Sequence, residues 1–140
     1  MRINISKKDC SFYVDEEKRK VVCVIPDTQW LVLDYISDAF DMRWSDATIN
    51  KLMLPARFVG IATCSEEDEF NEDIGREIAF NKAKFKLNTS FFKRADWFTN
   101  ELDKEIGEFV QSVNNFGAAL TAGAERREEK IKAYFGETKV

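Results

Sequence analysis

Hydrophobic positions along the chain settle into a lasting helical period only from Glu72 onward. In the first part they alternate or cluster in short runs. Ile3 and Ile5 stand between polar neighbours, and Phe12-Tyr13-Val14 and Val21-Val22-Cys23-Val24-Ile25 are β-branched or aromatic runs. These predict strands. The polar stretch Asp15-Glu16-Glu17-Lys18 suits a hairpin between the second and third, and Pro26 ends the third because it has no N–H for a ladder. Asp27-Thr28 offers a helix cap, and Trp30, Leu33, Ile36 and Phe40 recur at roughly helical spacing, predicting a helix over 28–42. Trp30-Leu31-Val32-Leu33 equally suits the start of a strand. Ser45-Asp46 caps a short helix through Met53, closed by Pro55. Arg57 to Cys64 reads as a further strand, with Gly60 where another backbone can come close.

After the acidic loop from Ser65 to Phe70 the period becomes helical from Glu72 onward. Ile74, Ile78, Phe85 and Phe92 form one stripe, and Phe80, Ala83, Leu87 and Phe91 form a second. Two stripes predict a helix covered on more than one side. Phe98, Leu102, Ile106, Phe109, Val113 and Phe116 continue the pattern. No proline follows Pro55, so interruptions are expected only at Asn88-Thr89-Ser90 and at Gly117. Ile131, Tyr134 and Phe135 mark a final amphipathic helix over 124–135, entered through Thr121-Ala122-Gly123. The order predicts an α+β fold: a small N-terminal antiparallel sheet followed by long C-terminal helices. The 140 residues suit a single domain, mainly strands with a helical insertion over 1–64 and mainly helical over 65–140.

Composition then narrows the chemistry. The chain has no histidine, which excludes Ser-His-Asp and Cys-His nucleophile pairs, a histidine base and His-bearing metal sites. Cys10, Cys23 and Cys64 are widely spaced with no CxxC, as expected of buried thiols in a reducing compartment. The start of the chain lacks an apolar signal region, and no run suits a membrane helix, so a cytoplasmic protein is expected. With net charge −4 and pI near 5.0, the electrostatic footprint of general DNA binding is missing.

Candidate sites are few. The run Glu66-Glu67-Asp68-Glu69 lacks the alternating ligands and central glycine of a calcium loop, so no metal is expected, and no glycine-rich phosphate loop occurs. No nucleophile stands beside a base, which points away from an enzyme and from a cofactor. Between Ile78 and Ala95 there is no acid, and Lys82, Lys84, Lys86, Lys93 and Arg94 interleave with Phe80, Phe85, Phe91 and Phe92. Cations neutralise phosphates and rings stack on bases, so this window suits a nucleotide. Lys82 and Lys86, at i and i+4, equally suit the solvated edge of a helix whose Phe stripes are core.

The segment from Gly60-x-Ala62-x-Cys64 through Asp68-x-Phe70 to Gly75, Ile78-Ala79 and Ala83 resembles a pattern of small phage and prophage proteins, the first family of Thoeris anti-defence proteins. The resemblance covers about 25 residues. It implies a sponge: a homo-oligomer that binds cyclic ADP-ribose isomers made by TIR-domain proteins, in some members cyclic trinucleotides, without degrading them. It also implies a sheet-then-helix fold. Within the motif, Gly60 is read as a close-packing residue, Asp68 as a cap, and Phe70 as a hydrophobic staple or a stacking ring. Arg57, Arg76 and Lys84 are preferred as phosphate partners and Asn81 as a base or ribose contact, by residue type and position. An acidic inhibitor that binds a host defence protein directly is the alternative, and a single-stranded nucleic-acid binder ranks last at this net charge.

Overall fold

A computed structural model describes residues 3–40 and 43–135. Its chain divides into two compact units, Met1–Phe98 and Thr99–Val140. The first holds strands β1 (Ser11–Asp15), β2 (Lys20–Pro26) and β3 (Arg57–Thr63) and helices α1 (Leu31–Ala39) and α2 (Asp46–Leu52). Helix α3 (Glu72–Phe135) supplies residues to both units. The fold is α+β, with an antiparallel sheet in the order β1-β2-β3.

The period-2 pattern sets the two faces of this sheet. Register pairs Phe12 with Cys23 and Cys23 with Gly60, and Ile25 with Phe58. Val21, Cys23, Ile25, Phe58 and Ala62 are all buried on one face. Alternate residues Tyr13 and Ile61 lie on the other face and are exposed. Against the buried face lies the first part of α3, through Ala79, Phe80, Ala83, Leu87 and Phe91. Gly60 fixes how close the two can come. A Cβ there would lie 2.0 Å from the Ala79 carbonyl oxygen and 2.5 Å from the Ala83 nitrogen. At Gly75 a Cβ would lie 2.6 Å from Val21 Cγ2. Gly75, Ala79 and Ala83 stand one helical turn apart, so small residues on helix and strand meet backbone to backbone. The glycine–alanine motif is therefore a seat for α3 on the sheet.

Helices α1 and α2 close the other end of this core with Val32, Leu33, Ile36 and Leu52. Tyr35 meets Phe91 edge-on at 5.8 Å, and Trp44 and Phe40 meet Phe98 at 4.9 and 6.2 Å. Ser45 caps α2 as expected, its hydroxyl accepting from the Thr48 N–H at 3.2 Å.

Several expectations are corrected. Ile3 and Ile5 form no strand; the chain there leads into a short 3-10 turn, Lys7–Asp9. Helix α1 starts at Leu31, because Thr28 is occupied elsewhere. It is buried, its hydroxyl donates to the Pro55 carbonyl at 2.5 Å, and its N–H donates to the Ala56 carbonyl at 3.2 Å. The 28–42 expectation also covers residues 41 and 42, which lie outside the described residues.

Helix α3 is uninterrupted at 88–90, at Gly117 and at 121–123. Leu87 and Phe91 are buried on either side of the first cluster and hold it helical. Thr121 bonds back to the Gly117 carbonyl at 3.1 Å, a local bond compatible with continued helix. The buried stripe is Phe80, Ala83, Leu87 and Phe91, while Ile74, Ile78, Phe85 and Phe92 are exposed. In this unit α3 is thus covered on one side.

Among the described residues, the second unit is α3 alone. Ile106, Phe109, Val110, Val113, Phe116 and Leu120 are all exposed. Along it, Gln111 donates to Asn115 at 2.9 Å and Ser112 to the Glu108 carbonyl at 3.0 Å. Among the described residues no helix is long and apolar enough to cross a membrane.

Candidate functional site: a lysine-edged groove beside β3

Among the described residues β3 pairs only with β2, so one of its edges has no strand partner there. A free edge needs cover, because its unpaired backbone groups invite another strand. Here the cover comes from α3. Lys82 Nζ donates to the Ile61 carbonyl at 3.0 Å and Lys86 Nζ to the Val59 carbonyl at 2.9 Å. The i, i+4 spacing on the helix matches the i, i+2 spacing of the strand's outward carbonyls. Arg94 is held in the same way: its Nε donates to the Met53 carbonyl at 3.0 Å and its Nη1 to the Ser90 carbonyl at 3.3 Å. Much of the basic window therefore has a structural task.

It also forms a groove. Ile78, Asn81, Lys82, Phe85 and Lys86 line an open hollow of about 400 Å³. Phe85 is 72% exposed, so its ring face is free for stacking. Each lysine ammonium carries three protons, and the strand carbonyl takes one. The remaining donors of both lysines are available beside the ring.

A second cleft of about 300 Å³ shares Ile78 and runs along the turn between β3 and α3, past Cys64, Asp68, Phe70, Asn71 and Ile74. The turn is tied by Arg19, which has left-handed backbone (φ 54°) at the end of the β1–β2 turn. Its guanidinium donates to the Asp68 carbonyl and to Cys64 Sγ, the latter at 3.4 Å, and the Cys64 N–H donates back to the Arg19 carbonyl at 2.9 Å. Asn71 caps α3, its side-chain oxygen accepting from the Ile74 N–H at 3.1 Å. Asp68, expected to be the cap, instead accepts from the Ser65 hydroxyl at 2.8 Å. The cap needs a side chain directly before Glu72, and Asp68 lies too early.

The five residues preferred from sequence do not converge. Asn81 lies in the lysine groove and Phe70 in the neighbouring cleft. Lys84 lines a separate hollow with Ile3, Asn4, Ile5, Ser6 and Asp9, its ammonium 5.6 Å from the Phe80 ring centre. Arg76 is paired with Glu72, at 2.8 Å from Nη2, and stands 5.3 Å from the Phe12 ring centre. Arg57 begins β3 opposite Pro26 and is exposed. The groove's own cations are Lys82 and Lys86. Their signal in the sequence is the i, i+4 lysine pair bracketing Phe85 in the acid-free window.

The three thiols play different parts. Burial is the first cause that pushes Cys23 up from 9.0 to about 12, with the nearby Cys10 adding to it. Burial likewise raises Cys10, whose hydrogen bond to Cys23 works the other way. Cys23 is a buried packing group, whereas Cys10 and Cys64 are only half-buried, against the expectation of three buried thiols. Among the described residues no three Cys, Asp or Glu side chains gather as a metal site. Compared with known proteins, the chain matches no family model, no curated protein and no solved structure.

Proposed function

We propose that the chain captures an anionic nucleotide in the lysine-edged groove and holds it without turnover. The observation that carries this reading is the grouping of the Lys82 and Lys86 ammonium groups with Asn81 and the exposed Phe85 ring on one side of α3. Phosphate would take the free lysine protons, the base would stack on Phe85, and Asn81 would bond a base edge or ribose hydroxyl. Capture needs no proton transfer, in keeping with a chain that has no histidine. The resemblance to the first Thoeris anti-defence family supplies the ligand class, a cyclic ADP-ribose isomer. It supplies the role too: a phage protein in an infected cell's cytoplasm that withdraws the signal from a host defence. The family-like motif would then be the scaffold and the next two turns of α3 the ligand surface.

Calorimetric titration with cyclic ADP-ribose isomers, followed by mass analysis of ligand released on denaturation, tests this. Stoichiometric binding with intact ligand is expected. Lys82→Gln with Lys86→Gln should weaken it by at least about tenfold, since two charge-assisted contacts are lost. A cleaved product, or no binding to any isomer, overturns the reading. The exposed acids Glu66, Glu67, Glu69, Glu72 and Asp73 favour one alternative, an inhibitor docking on a basic cleft of a host protein. That reading predicts a stable protein complex and no nucleotide binding.

A further inference from the structure

The second unit presents an apolar seam with no cover. Leu102, Ile106, Phe109, Val113, Phe116 and Leu120 are spaced alternately by four and three residues, the a/d spacing of a heptad seam. From Ile106 through Leu120 these side chains are between 52% and 70% exposed. A helix carrying Gly107, Gly117 and Gly123 gains little from its own propensity and depends on packing that seam. Sequence-neutral flanks go with it: residues 109–124 contain no charged side chain.

The charges outside that stretch say what covers it. Residues 101–108 carry Glu101, Asp103, Glu105 and Glu108 against a single Lys104, whereas 125–132 carry Arg126, Arg127, Lys130 and Lys132 against Glu125, Glu128 and Glu129. One end is acidic and the other mildly basic, so the complementary surface is the same helix reversed. We infer that two copies of this chain pair through the Leu102–Arg127 stretch as a two-fold antiparallel coiled coil. In that register Val113 packs opposite Phe116 of the second copy, Phe109 opposite Leu120, Ile106 opposite Gly123, and Leu102 opposite Arg127. Each ring meets a smaller side chain, and the Gly123 gap is filled by Ile106. Glu105 of each copy flanks Arg126 of the other. A parallel pair would instead stack Arg127 on Arg127, glycine on glycine and the acidic end on itself. Pairing of this kind needs no nucleotide.

Sedimentation of the full chain without ligand tests it. The expected mass is twice the 16.2 kDa of one chain. F116D should raise the dissociation constant by about a hundredfold or more, because it buries a carboxylate in the central layer. Glu105 and Arg126 read the orientation. E105R alone and R126E alone should each weaken the dimer about five- to tenfold, and E105R/R126E together should restore it. A monomer at every concentration, a tetramer, or a double variant as weak as the singles overturns the inference. The measurement does not depend on whether a nucleotide binds the first unit.

Discussion

The two stretches of α3 obey opposite rules. Up to Phe98 the helix is built around small residues and buries one stripe against the sheet; from Thr99 on it buries almost nothing of its own. Glycine shows the difference most sharply. Gly75 sits against Val21 with no room for a methyl group, yet Gly107 and Gly117 have nothing within 4 Å of where a Cβ would be. Helical periodicity marks a face that wants cover. It does not say whether the cover is in the same chain.

The largest expected effect lies at the seat of the helix. Gly60→Val should cost at least about 3 kcal/mol, because backbone of α3 occupies the space, and urea unfolding should show it as a collapse of the sheet-bearing unit. A fully stable variant would mean that α3 is not seated there. Next come two leucines on the same helix. Leu87→Ala should cost about 2–5 kcal/mol at any protein concentration, because the side chain is fully buried. Leu120→Ala, at an exposed position, should lower the melting temperature only in a concentration-dependent way. Equal, concentration-independent losses would erase the distinction between the units.

A pH prediction is smaller and belongs to the first unit alone. The folded state holds the Cys23 proton up to about 12, while the unfolded chain releases it near 9.0. Unfolding therefore releases protons in that window, so stability should be level below pH 9 and fall as pH rises towards 12. Comparing urea midpoints at pH 8 and pH 10.5 against Cys23→Ala isolates this contribution, which vanishes in the variant. The smallest change is Gly107→Ala, expected to stabilise the distal helix by about 0.5–1 kcal/mol, seen as a gain in helical circular dichroism on heating.

Much of this was legible in the residues. The β-branched runs located β1, β2 and β3, Ser45 marked its helix start, and Gly60 signalled a close backbone. The breaks expected in α3 failed because Asn88-Thr89-Ser90 is a cap only where the chain leaves the helix, and burial of Leu87 and Phe91 forbids that. Ile3 and Ile5 alternate like a strand but have no partner strand among the described residues. For the candidate site, the acid-free window was visible, yet residue type and position pointed to Lys84 and not to Lys82 and Lys86. Only the register of β3 against α3 separates Lys82 and Lys86, which meet strand carbonyls, from Lys84 on another side. That register depends on Gly60, far from these lysines in the sequence, and no local pattern encodes it.

The lysine clasp on β3 also bears on solubility. A three-stranded sheet of this size would offer β3 as a template for a fourth strand from a neighbouring molecule. Two ammonium groups stand on the carbonyls such a strand would use, and their charge repels an approaching copy that carries the same pair. Replacing both by neutral, shorter side chains would uncover those carbonyls, so the residues proposed to hold a ligand also guard the open edge of the sheet.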